Sequence, residues 1–104
     1  MISQQWLEKI KDILLQEEEF EKIILFGSQA RDTADEKSDV DLLIISRQIQ
    51  DRFILMRSLR RKLLPVPYDF DIITITGEEY ERDRMIAGTI ANYASRDGKV
   101  IYAH

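Results

Sequence analysis

The chain has 104 residues, a formal charge of -4 at neutral pH, and 44% hydrophobic against 33% charged residues, a composition that excludes a disordered chain and predicts one globular domain over 1–104. The acidic balance speaks against a broad nucleic-acid groove, whose phosphates demand a net basic face, so direct nucleic-acid binding is not expected. No apolar run approaches membrane-spanning length, no signal-peptide pattern opens the chain, and there is no cysteine for disulfides or thiolate metal sites, which together point to a cytoplasmic protein.

In chain order, Ile2, Trp6, Ile10, Ile13 and Leu14 recur at helical spacing and predict an amphipathic helix from Ser3 to about Glu18, with Trp6 in the core. Lys22 to Phe26 is a short β-branched and aromatic run stopped by Gly27, which reads as a buried strand ending in a tight turn. A short helical turn starting at Ser28 and a polar loop from Arg31 to Ser38 follow, and Val40 to Ile45 is a second, strongly apolar strand. Ile49, Phe53, Met56, Leu59 or Arg60, and Leu63 predict a helix ended by Pro65 and Pro67. Tyr68 to Thr76 reads as a third strand, and Thr76 with Glu79 forms a capping box that opens one helix with the stripe Tyr80, Ile86, Ala87, Ile90, Ala91 and Ala94. After a turn at Gly98, Val100 to Tyr102 makes a last short strand. The alternation predicts an α/β (α+β) fold, a small sheet of about four strands backed by helices, with the helix between the second and third strands able to make a parallel crossover.

The chemistry concentrates in a few residues. Asp39 and Asp41 are two apart at the start of a strand, so their carboxylates point to the same side. Two carboxylates held that close repel, and a hard divalent cation between them removes the conflict. Mg²⁺ suits this, since it uses a few carboxylates together with waters and substrate phosphates. A lone Asp-x-Asp is more often a solvated strand end; the surroundings are what favour the site. Gly27 and Ser28 end the preceding strand, where a glycine lets the backbone approach a phosphate while N–H groups and the Ser28 hydroxyl bind its oxygens. Asp69 and Asp71 again share a face of the third strand, and one of them is expected to complete the site, holding a second metal that activates an attacking hydroxyl.

Gly27-Ser28, ten intervening residues and then Asp39-Val40-Asp41 resembles the signature of the DNA polymerase beta-like nucleotidyltransferase superfamily. Within it, Phe26-Gly27-Ser28-Gln29-Ala30-Arg31 followed by Ser38-Asp39-Val40-Asp41-Leu42 is similar to the minimal nucleotidyltransferases of bacteria and archaea. Tyr68 to Ile73 and Asp97 to Tyr102 extend the likeness over nearly the whole chain. The resemblance implies a mixed, palm-like sheet with the site on its open face, Asp39, Asp41 and Asp71 as the catalytic and metal-binding carboxylates, and Gly27 and Ser28 at the phosphates. It further implies two Mg²⁺ ions, ATP as the nucleotide donor, and a homo- or hetero-oligomer. Stand-alone minimal members resemble antitoxins paired with a HEPN-domain RNase, which they silence by transferring AMP to a tyrosine hydroxyl. Neutralisation by binding alone and transfer to a small-molecule hydroxyl are the alternatives. One departure is Asp32, where members usually have Gly: it stiffens the loop and adds a negative charge near a triphosphate. Arg52, Arg57, Arg60, Arg61 and Lys62 could form a basic face, although solvated charges opposite a helix's apolar stripe are commoner. Tyr68 and Tyr80 are read as packing residues and His104 as inert.

Overall fold

A computed structural model describes residues 2–16, 19–30 and 39–104. Glu17, Glu18 and the loop expected over 31–38, Asp32 included, lie outside the described residues.

The first helix, α1 (Gln4–Leu14), starts where the Ser3 hydroxyl accepts a hydrogen bond from the Trp6 N–H at 3.2 Å. It buries Leu7, Ile10 and Leu14, one stripe at helical spacing, while Trp6 packs on the edge of that core with its ring 5.9 Å from Tyr68 in an edge-to-face contact. The strand β1 (Lys22–Phe26) has the predicted bounds and is buried on both faces, as its unbroken apolar sequence requires. Strand β2 (Val40–Ser46) is the same kind of segment.

The second helix, α2 (Arg52–Lys62), begins three residues later than the apolar spacing predicts, because the Asp51 carboxylate accepts from the N–H groups of Phe53 and Ile54 at 3.0 and 3.1 Å and fixes the helix start. The expected stripe is also displaced. Leu59 and Leu63 are buried and Leu55 packs beside them, but Phe53 is 76% exposed. Strand β3 (Phe70–Thr76) starts two residues after the predicted point and leads into the capping box: the Thr76 hydroxyl accepts from the Glu79 N–H, and the Glu79 carboxylate accepts from the Thr76 N–H, both at 3.0 Å.

The single helix expected after this box is two helices, α3 (Gly77–Asp83) and α4 (Ile90–Asp97). Gly88 has φ +92°, which a right-handed helix cannot continue through, and the Thr89 hydroxyl restarts the helix by accepting from the Asn92 N–H at 3.1 Å. Ile86 and Ala87, expected in the stripe, therefore lie exposed in the connection, while Tyr80, Ala91 and Ala94 stay buried. The last strand is β4 (Lys99–Ala103).

The four strands form one mixed sheet in the order β3-β2-β1-β4, with β1 antiparallel to both neighbours and β2 parallel to β3 through the α2 crossover. Alternation along the central strands divides the core into two layers. Ile23, Leu25, Leu42, Ile44 and Ile72 pack with α1 and α2, whereas Ile24, Phe26, Leu43 and Ile45 pack with Tyr80, Ala91 and Ala94 of α3 and α4. No described helix is long and apolar enough to cross a membrane.

Candidate active site

The pairing of β1 with β2 places Phe26 opposite Asp41, so the turn that follows Phe26 and the carboxylates that open β2 meet at one edge of the sheet. Gly27 has φ +74°, a conformation that glycine adopts without steric cost and other residues do not. It has a second requirement, for a Cβ at this position would run into the Asp41 carboxylate. The backbone at Gly27 thus lies directly against Asp41. Ser28, half-buried, stands in the turn that the Ala30 N–H closes on the Gly27 carbonyl at 3.2 Å; the rest of the helical turn expected here, from Arg31 on, lies outside the described residues. Gly27→Ala is expected to lower stability by about 1–2 kcal/mol through the left-handed backbone alone and to displace Asp41 as well. Thermal melting with parallel nucleotide-binding calorimetry checks both, and a variant that melts and binds like the parent would show that the close approach is dispensable.

The parallel register of β2 with β3 sets Asp71 beside Asp41, with Val40 beside Phe70 and Leu42 beside Ile72. In-register neighbours project to the same face, so Asp41 and Asp71 point together, and Asp39, two residues before Asp41, shares that side. Asp41 is half-buried, while Asp39 and Asp71 are exposed. Burial pushes the Asp41 carboxyl above the ordinary carboxylate range, and the nearby charges of Asp71 and then Asp39 push it further. Three carboxylates are thus close enough for each of two to disfavour ionisation of the third. That is the electrostatic condition a divalent cation relieves. Among the described residues no three His, Cys, Asp or Glu side chains form a ready cage for a metal ion. An all-oxygen set of few carboxylates, open on one side, suits Mg²⁺, which keeps waters and takes substrate phosphates for its remaining positions. Asp39, Asp41 and Asp71 are the residues that would hold it.

Asp69 is placed differently. It precedes β3, its main-chain carbonyl accepts from the Val40 N–H at 2.8 Å, and its side chain is exposed. The face carrying Asp41 is not open throughout. Helices α3 and α4 bury its apolar part, because Leu43 and Ile45 need cover, and the carboxylates stand at the remaining edge. The basic segment forms no common face beside the carboxylates, in line with the reading of solvated charges. Arg52 donates to the Thr74 carbonyl at 2.7 Å and to Glu79 at 2.9 Å, tying α2 to β3, whereas Arg57, Arg60 and Arg61 are exposed on a helix that packs on the other side of the sheet from Asp41. Tyr68 packs on Trp6, and Tyr80 is buried with the Lys22 ammonium 5.2 Å from its ring centre, as packing residues. His104 is exposed, and its backbone N–H donates to the Glu21 carbonyl at 2.9 Å. One residue that sequence reasoning passes over is Gln29, which is buried in the turn; a polar residue within a turn gives no local sign of burial.

Comparison with curated proteins yields no match. Among solved structures, a MntA-HpeT toxin–antitoxin complex carrying two Asp-to-Glu substitutions is similar at a TM-score of 0.67 and 15% identity, over 99% of this chain and 75% of that one. A toxin–antitoxin structure with AMP-PNP is similar at 0.66 and 19% identity, over 94% and 73%. A complex of the tri-AMPylated HEPN toxin of Shewanella oneidensis with its MNT antitoxin is similar at 0.64 and 19% identity, over 98% and 74%. At such identities the likeness is one of fold. The family model described as polymerase beta, nucleotidyltransferase, matches residues 8–103. A match that runs from within α1 to the end of β4 shows the family: this chain belongs to the polymerase beta nucleotidyltransferases.

Proposed function

We propose that the chain is a Mg²⁺-dependent adenylyltransferase that moves AMP from ATP to a tyrosine hydroxyl of a HEPN-type RNase partner, and so acts in the cytoplasm as the antitoxin of a toxin–antitoxin pair. The observation that carries this reading is the in-register placement of Asp41 beside Asp71, with the positive-φ turn at Gly27 lying against Asp41. Phosphate donors and metal-binding carboxylates share one sheet edge, as transfer of a nucleotide requires. The partner comes from the neighbours in fold, among them an MNT antitoxin complexed with a tri-AMPylated HEPN toxin.

In this reading the Gly27–Ser28 turn binds the β- and γ-phosphates through backbone N–H groups and the Ser28 hydroxyl. Asp39 and Asp41 would hold the Mg²⁺ whose remaining positions the phosphates fill, which would turn the α-phosphorus toward the acceptor. Asp71, on the neighbouring strand, faces the incoming tyrosine hydroxyl and accepts its proton as the oxygen attacks the α-phosphorus and pyrophosphate leaves. Mg²⁺, when bound, neutralises phosphate charge and lowers the pKa of the attacking hydroxyl.

The test is incubation of the purified chain with ATP labelled at the α-phosphate, Mg²⁺ and the protein product of the neighbouring gene. Label is expected on a tyrosine of that protein, with loss of its RNase activity. RNase inhibition with no label transferred would replace catalysis by neutralisation through binding, and label appearing only on a small molecule would move the acceptor to that class.

A further inference from the structure

Gln29 follows Ser28 directly and sits inside the turn between Gly27 and Ala30. A glutamine in a turn is ordinarily solvated, yet this one is 2% exposed. Its Oε1 accepts a hydrogen bond from the Ile2 N–H at 2.7 Å, across 27 residues of sequence. Ile2 is itself 3% exposed and belongs to the core layer beneath α1. The Ile2 amide precedes the helix cap at Ser3, so the helix offers it no acceptor, and a buried backbone donor demands a partner. Among the described contacts, the Gln29 side chain ties the turn to the segment that enters α1, while the Gly27 backbone lies against Asp41 on its other side.

We infer that Gln29 is a positioning residue for the phosphate turn: its buried bond to the Ile2 amide fixes the plane in which Ser28 presents its hydroxyl and N–H, so that the entry to α1 helps to hold the nucleotide site in shape. The inference rests on the nucleotide reading above. Without the Oε1 acceptor the turn loses this anchor, and a displacement of about 1 Å from the productive geometry already costs a large factor in rate.

The experiment pairs Gln29→Met, which keeps the length of the side chain but removes the acceptor, with Ile2→Pro, which removes the donor and leaves Gln29 in place. Each is expected to raise the KM for ATP by about 10-fold with kcat near that of the parent, and to weaken binding of inorganic tripolyphosphate by the same factor. The two losses in tripolyphosphate binding are expected to be less than additive in the double variant, since both substitutions break the same bond while Ile2→Pro also removes a core side chain. Should Gln29→Met not fold, Ile2→Pro carries the same expectation. A Gln29→Met protein that melts earlier yet, still folded, binds ATP and tripolyphosphate like the parent would overturn the inference, leaving Gln29 as no more than a partner for a buried amide. Losses that add in the double variant would equally overturn it. If the unaltered protein binds no ATP in the presence of Mg²⁺, the nucleotide reading itself fails, an outcome distinct from a parent that binds and a variant that binds equally.

Discussion

Asp41→Asn is expected to make the protein more stable and inactive at the same time. Asp41 is the innermost of the three carboxylates, and burial together with Asp71 and Asp39 holds its carboxyl above the ordinary range. For an acid whose folded-state pKa lies above the unfolded one, the fold favours the protonated form. The associated stability is fully present below the unfolded value and is lost as pH rises through the raised one. At neutral pH the ionised Asp41 therefore works against folding when no cation is supplied, and an uncharged amide of the same shape removes that penalty. In the presence of a chelator, Asp41→Asn should melt above the parent at pH 7, and the difference should vanish below roughly pH 4, where both carry no charge at this position. Transfer should fall by on the order of 100-fold or more, as when other single groups that stabilise a transition state electrostatically are removed. Melting curves across pH with a parallel label-transfer assay check both halves. A variant that melts lower than the parent at pH 7 and still transfers AMP would mean that Asp41 is an ordinary structural residue.

Asp71→Asn is expected to separate chemistry from binding. Asp71 lies on β3, an edge strand whose backbone is held by its ladder with the central strand β2, and in the proposed reading it faces the acceptor. Replacing it leaves Asp39, Asp41 and the Gly27 turn to hold the triphosphate, so ATP affinity should stay close to that of the parent. The hydroxyl then loses its proton acceptor and a rigid ligand, and transfer should drop by about 100-fold or more, the scale of loss from a misplaced reacting group. Asp69→Asn should be mild, because what Asp69 supplies to the sheet is its main-chain carbonyl, bonded to the Val40 N–H, and that bond survives the substitution. Single-turnover label transfer with ATP binding measured on the same preparations distinguishes the two positions. An inactive Asp69→Asn beside an active Asp71→Asn would place the third carboxylate two residues earlier, and full activity in both would remove the three-carboxylate mechanism.

Much of this architecture is legible in local sequence. Lys22–Phe26 is a strand because an unbroken β-branched and aromatic run meets a glycine, and Thr76 with Glu79 starts a helix because two side chains satisfy two end amides reciprocally. The Gly-Ser turn and the Asp-x-Asp pair are likewise readable, since their spacing needs only the alternation of a strand. What goes astray is also local but subtler. Asp51 outcompetes Ile49 for the start of α2 by capping it, and Gly88 with Thr89 divides a helix whose apolar spacing runs on unbroken.

The tertiary structure alone decided how these pieces meet. Strand order, the antiparallel pairing of Phe26 with Asp41 and the parallel pairing of Asp41 with Asp71 depend on hydrogen bonds between segments distant in the chain, for which no residue carries a local mark. The sequence by itself determined which residues could bear the chemistry, because carboxylates, glycine and serine are recognisable by type and spacing. The fold decided that Asp71, already singled out in the sequence, stands in register with Asp41, that Asp41 is the carboxylate whose ionisation is opposed, and that Gln29 is buried against Ile2. The physical reason is one of range: propensity, capping and alternation act within a few residues, whereas register, burial and the coupling of charges arise only when distant segments are packed together.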